Sequence, residues 1–195
     1  MADAAAGNNG NCSTKDATFE YGANVHVSAH PVLSHKITIL RSSTTRPEVF
    51  RAVLREVTYH LGYEATGMLT TKPVAISVPV GKSDHMDFDG HKLKERVAMI
   101  PILRSGLGMV DSMLELTPNA AIHHIGIYRV IGQNPVQYYN KLPKKCDADV
   151  VYILDPVIAT SATVMSVITL MKKVSKVLNY PGKSVDFMYL FAGMF

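Results

Sequence analysis

The chain carries one stretch whose residue types and order can do chemistry together. A buried-type run, Val150 to Leu154, breaks into Asp155 and Pro156. After Val157, Ile158 and Ala159 it passes into Thr160, Ser161, Ala162 and Thr163, where a helical pattern starts. A Val- and Ile-rich run of this length reads as a central strand of a parallel sheet. The small hydroxyl residues behind it can present a row of backbone N–H groups at a helix N-terminus, which suits a phosphate. Asp155 cannot hold that phosphate by charge, but it can accept hydrogen bonds from sugar hydroxyls. An acid and a phosphate cradle in one loop point to a sugar phosphate.

A second stretch has comparable potential. Arg104, Ser105 and Gly106 follow the apolar run Val97–Leu103 and precede another helical pattern, the place where open α/β sheets bind ligands. Gly106 and Gly108 permit close backbone approach to an anion. A buried strand end is a costly place for the Arg104 charge unless an anion pairs with it. Guanidinium offers paired donors to phosphate oxygens. The plainer alternative is an ion pair with a nearby carboxylate such as Asp111. Arg129 ends a third apolar run, Ala121–Tyr128, ahead of a Gly- and Pro-containing segment; taken alone, such a residue is more commonly a solvated loop arginine.

Together these stretches resemble the type I phosphoribosyltransferases, and uracil phosphoribosyltransferase in particular. The resemblance rests on Asp155-Pro156-Val157-Ile158-Ala159-Thr160, on Val97 to Asp111, and on His124 to Arg129 with Pro135 to Pro143. Weaker matches are His30 to Leu33 and Tyr63 to Thr66, so the likeness runs from about His30 to the C-terminus. It implies an α/β fold, a type I phosphoribosyltransferase-like parallel sheet flanked by helices. It implies transfer of phosphoribose from phosphoribosyl pyrophosphate to uracil, giving UMP and pyrophosphate. By the same resemblance Arg104 and Arg129 hold the pyrophosphate and Asp155 holds the ribose hydroxyls. The loop Pro156, Val157, Ile158, Ala159, Thr160, Ser161, Ala162 and Thr163 closes round the 5-phosphate, with Arg104 and Asp155 as the catalytic pair. Mg2+ is expected to arrive with the substrate pyrophosphate rather than in a protein cage. A homodimer or higher homo-oligomer is expected as well. Lys141 adds positive charge near the segment behind Arg129, which in the family closes over the substrate.

Two departures from the family pattern stand out. Ser161 and Ala162 occupy positions where the family's loop usually carries two glycines, so side chains there are expected to crowd the phosphate while Ser161 and Thr163 add hydroxyl donors. The chain ends at Phe195, ahead of the segment that in the family recognises uracil. The sequence therefore reads as C-terminally incomplete, with no nameable uracil-binding residue. The alternative function is a non-catalytic regulatory protein that binds phosphoribosyl pyrophosphate and has lost the base site.

Composition sets the frame. A chain of 195 residues has length for one domain with a sizeable core. The net charge of +4 fits a small anionic substrate, and no Lys/Arg run interleaved with aromatics suggests nucleic acid. With Cys12 and Cys146 as the two cysteines, a disulfide framework is excluded. No apolar run has the length of a membrane span, and a cytoplasmic setting is expected.

The elements that position these loops follow from periodicity. Residues 1–24 are small and polar and read as a disordered tail, leaving 25–195 as the domain. Thr45 reads as the N-cap of a helix with Glu48 as its capping partner, and Gly62 as its end. Val74–Val80 reads as a short strand and Gly81–Glu95 as a surface loop. Arg96–Leu103 is a strand, Leu107–Leu116 a helix, Ala121–Tyr128 a strand, and Val130–Asn140 a hairpin or loop. Val150–Leu154, Thr163–Leu178 and Val185–Phe191 complete the alternation of strand, helix and strand that marks a parallel α/β sheet.

Other motifs fail on inspection. Gly106-Leu107-Gly108 mimics a dinucleotide fingerprint, but Asp111 stands at its third glycine. Gly81-Lys82-Ser83 imitates a phosphate-loop ending, with Ile76 where the first glycine belongs. Asp84 to Gly90 looks like part of a calcium loop, yet His85 and Arg96 fall at key ligand positions, so it reads as a solvated turn.

Overall fold

The computed structural model describes residues 25–81, 84–128, 136–143, 147–158, 162–177 and 187–190. Its organisation follows from the period of two in the apolar strands. In β3 (Val97–Leu103) and β7 (Val150–Leu154), which pair in parallel from Val97↔Val150 to Pro101↔Leu154, alternate side chains point to opposite faces. Val97, Met99, Val150, Tyr152 and Leu154 face one core; Ala98, Ile100, Ile102, Val151 and Ile153 face another. A strand apolar on both faces requires covering layers on both sides.

The first layer holds α1 (Pro31–Arg41), α2 (Pro47–Thr66) and α3 (Leu107–Leu116), which supply Leu40, Val53, Leu54, Val57, Met109, Val110 and Met113. The second is α4 (Ala162–Val177), which supplies Val164, Val167 and Met171. The main sheet runs β6 (Val136–Asn140), β5 (Ile125–Tyr128), β3, β7, β8 (Phe187–Leu190), with β4 (Ala121–Ile122) also on β3. Strands β4, β5 and β7 are parallel to β3, and β8 is parallel to β7. Strand β6 is antiparallel to β5, so the expected parallel sheet is mixed at one edge.

Several local expectations are corrected. Helix α2 begins at Pro47, with Arg46 at the cap position and no side-chain cap bond. Thr45 instead donates its hydroxyl to the Ile39 carbonyl at 2.7 Å, tying the α1–α2 turn. Gly62 does not end the helix, which continues to Thr66. It is buried where a Cβ would lie 2.5 Å from Leu116 Cδ1 and 2.8 Å from Met113 Sδ, so it allows α2 to press on α3. Helix α1 was not expected from periodicity, yet its start has a local cause. Pro31 opens it, and the His30 ring accepts from the Val32 N–H at 3.2 Å.

The stretch expected as a surface loop contains β2 (Asp84–Leu93), paired along its whole length with β1 (Thr71–Val80). Asp84 to Gly90 is therefore strand rather than turn. Ile76 faces Phe88 and Val78 faces Met86 across the pair, so Val74, Ile76, Val78, Val80, Met86 and Phe88 share one side of this two-stranded sheet, with Leu93 on the other. The expected Ala121–Tyr128 strand is split at His123 and His124. The His123 N–H still donates to the Met99 carbonyl at 2.9 Å. Residues 1–24, expected as a disordered tail, lie outside the described residues.

Candidate active site

The two chemistry-bearing loops cap neighbouring parallel strands. Because Pro101 pairs with Leu154, β3 runs two residues further than β7 before it turns. Asp155 thus leaves β7 beside the end of β3, where the turn 104–106 begins. That turn is held by backbone bonds from Gly106 N–H to Ile102 O at 2.9 Å and from Leu107 N–H to Arg104 O at 3.2 Å. The Leu103–Arg104 peptide bond is cis.

Gly106 has a packing task that its position in the sequence does not reveal. A Cβ there would lie 2.3 Å from Leu154 O and 2.7 Å from Ile102 N. Absence of a side chain lets the turn press on the last residue of β7. Gly108 faces Leu54, with a Cβ contact of 3.0 Å, and so serves helix packing.

Arg104 is exposed, contrary to the expected burial, so the burial argument for an anion partner fails. Its alternative also fails, since no ion pair to Asp111 or any other described acid holds it. The guanidinium lines an open cleft of about 670 Å³ together with Leu103, Ser105, Ile127, Tyr128 and Tyr138. Tyr138, on β6, lies over Gly126, where a Cβ would sit 2.5 Å from its Cζ. Its ring is 5.9 Å from that of Tyr128. Strand β6 therefore forms the cleft's outer wall. Lys141 is not among the lining residues.

Asp155 is 9% exposed. Its Oδ1 accepts from the Ser105 hydroxyl at 3.0 Å and, more weakly, from the Val157 N–H at 3.5 Å. Burial raises the carboxyl above its ordinary range, and the two hydrogen bonds oppose that rise. Pro156 is buried, and Ile158 packs against the core under α4. Ala162 and Thr163 open α4. Arg129, Ala159, Thr160 and Ser161 lie outside the described residues.

Among the described residues no group of three or more His, Cys, Asp or Glu side chains could hold a metal ion. One carboxylate, Asp155, is too small a donor set for magnesium by itself, and the Arg104 guanidinium is no ligand for a cation. The single carboxylate fits an ion whose ligands are mostly phosphate and water oxygens.

Fold and site together define an α/β protein with an open cleft, lined by Arg104, at the carboxyl ends of the adjacent parallel strands β3 and β5; Asp155 is not among its lining residues. The model of the family "Uracil phosphoribosyltransferase" matches residues 27–179. The chain is 42% identical over 152 residues to the uracil phosphoribosyltransferase of Roseiflexus sp. (strain RS-1), covering 77% of this chain and 71% of that one. It is 39% identical over 168 residues to that of Fervidobacterium nodosum, covering 85% and 76%. A solved Aquifex aeolicus protein superposes with a TM-score of 0.69 at 27% identity, covering 87% of this chain and 86% of its own. The chain belongs to the uracil phosphoribosyltransferase family.

The sequence pattern does not single out Ser105 or Tyr138 for the site. Ser105 was legible only as the residue after Arg104. Tyr138 was legible only as an aromatic opposite a glycine, once the β5–β6 pairing is known.

Proposed function

We propose that this chain transfers phosphoribose from phosphoribosyl pyrophosphate to N1 of uracil. The observation that carries the reading is the placement of Arg104 and Asp155 on adjacent strand ends, bridged by Ser105. In this reading the bond from ribose C1 to the pyrophosphate oxygen breaks, the bond from C1 to uracil N1 forms, and the N1 proton is lost. Charge develops on the departing pyrophosphate and on an oxocarbenium-like ribose, so the protein's contribution is electrostatic and positional.

Arg104 takes the pyrophosphate, with Arg129 as its partner. The Asp155 carboxylate accepts from the ribose hydroxyls. Backbone N–H groups from Ala159 to Thr163 take the 5-phosphate, with Pro156, Val157 and Ile158 setting the path of that loop. Magnesium, when bound, neutralises pyrophosphate charge and is carried mainly by the substrate's own oxygens. Tyr138 of β6 walls one side of the cleft, and limiting water there matters because water would otherwise capture the activated ribose. We assign no residue to the uracil ring.

We place the domain at 25–195 and infer a cytoplasmic homo-oligomer, without nucleic-acid or membrane partners. Self-association is supported by the apolar side of the β1–β2 hairpin, whose Ile76 and Phe88 are 43% and 58% exposed. No described helix is long and apolar enough to cross a membrane.

The test is titration with phosphoribosyl pyrophosphate and magnesium, followed by an assay for UMP, with light scattering for assembly. Saturable binding and uracil-dependent pyrophosphate release are expected. Binding without turnover would select the non-catalytic alternative, and absence of binding would overturn the assignment.

A further inference from the structure

We propose that Ser105 is a positioning residue that locks the ribose-binding carboxylate of Asp155 to the pyrophosphate-binding turn. The inference rests on the functional reading above.

The geometry supports it from three sides. First, Ser105 donates to Asp155 Oδ1 at 3.0 Å across 50 residues of sequence, whereas the contact from Asp155's own loop is longer, 3.5 Å from Val157. The stronger restraint on the carboxylate therefore comes from the other loop. Second, the turn carrying Ser105 is itself rigidly seated. Backbone bonds run from Gly106 N–H to Ile102 O, from Leu107 N–H to Arg104 O and from Gly108 N–H to Ser105 O. Gly106 also presses on Leu154, the residue immediately before Asp155. Third, both described bonds use Oδ1, and no described donor reaches Oδ2. The arrangement leaves one oxygen anchored and the other available for a ribose hydroxyl.

Arg104 and Ser105 are consecutive, so one turn aims the pyrophosphate ligand and the ribose ligand at once. Such coupling fixes the spacing between the two ends of the substrate, which is where positioning accelerates a displacement. The hydroxyl also opposes the effect of burial on the Asp155 carboxyl, and no charged side chain among the described residues contributes to that balance. Ser105 thus helps keep the carboxylate in the ionised, accepting form.

The test compares wild type, Ser105→Ala and Ser105→Thr, each checked for cooperative unfolding. The probes are magnesium phosphoribosyl pyrophosphate, ribose 5-phosphate and inorganic pyrophosphate. Ser105→Ala is expected to weaken both ribose-bearing probes by roughly tenfold, the scale of a hydrogen bond to a charged group. It should leave inorganic pyrophosphate unchanged and move the acid limb of ribose 5-phosphate binding to higher pH. Ser105→Thr, which keeps the hydroxyl, should restore both. Equal loss for all three probes would mark a merely structural role and overturn the inference. So would unchanged ribose binding with an unchanged pH profile. Wild type that binds none of the probes would instead overturn the functional reading.

Discussion

Substituting Gly106 by alanine tests whether that glycine exists for the ligand or for the fold. The added Cβ would sit 2.3 Å from Leu154 O, 2.7 Å from Ile102 N and 3.0 Å from Ile102 O. All three are backbone atoms of β3 and β7, so no flexible side chain can move aside. Forcing one methyl into a packed site costs about 1–3 kcal/mol, and a site walled by backbone belongs at the upper end. Gly106 has φ −61° and ψ −19°, a conformation alanine adopts freely, so reduced freedom of the unfolded chain returns about 0.4–1 kcal/mol.

The net expectation is a loss of about 2 kcal/mol, or roughly 1 M in the urea midpoint for an ordinary denaturant slope. Gly108→Ala is the internal control. Its Cβ meets Leu54 Cδ2 at 3.0 Å, the far end of a side chain that can turn away. Its place in α3 favours alanine by about 1 kcal/mol. Gly108→Ala should therefore unfold within about 1 kcal/mol of wild type. Urea titrations followed by circular dichroism read both variants. If Gly106→Ala is as stable as Gly108→Ala and loses only ligand binding, the packing account is wrong and Gly106 serves the anion after all.

Three further outcomes follow from the same geometry. Burial raises the Asp155 carboxyl, so the folded chain holds that proton more tightly than the unfolded one, and stability falls as pH rises through the interval above the ordinary carboxylate value. Asp155→Asn should raise the melting temperature at neutral pH, with the gain fading in acid, while ribose 5-phosphate binding is lost; a gain that persists in acid would refute the electrostatic cause. Arg104→Ala should weaken phosphoribosyl pyrophosphate by about 1.5–3 kcal/mol and ribose 5-phosphate far less, measured by calorimetry; equal losses would contradict its role at the pyrophosphate. The Tyr152 hydroxyl is buried without a partner among the described residues, and its pKa is raised to about 12 by burial and then by the Glu95 charge. Tyr152→Phe should stabilise the protein by about 1 kcal/mol in urea titration, and a comparable loss would reveal a hidden partner for the hydroxyl.

Much of the scaffold is determined by the sequence alone, because its cause is local. The apolar runs Val97–Leu103 and Val150–Leu154 can be satisfied only by burial on both faces, and both became adjacent central strands. Leu107–Leu116 matches its helix at both ends. The order of Arg104 and Asp155 along the chain, each at a strand's carboxyl end, was likewise legible, as was the family.

What the tertiary structure decided are relations between segments far apart in sequence. Gly62 reads as a helix stop by composition, yet it is a contact surface for Met113 and Leu116, and only the α2–α3 packing reveals that. The acid-rich stretch after Gly81 reads as loop until β1 supplies Phe88 and Met86 with cross-strand partners in Ile76 and Val78. Exposure of Arg104 and burial of Asp155 depend on how far β3 outruns β7, a matter of register that no residue type encodes. The bond from Ser105 to Asp155 spans 50 residues. It exists because parallel pairing sets two strand ends side by side, and pairing is a choice made by the whole core rather than by either loop.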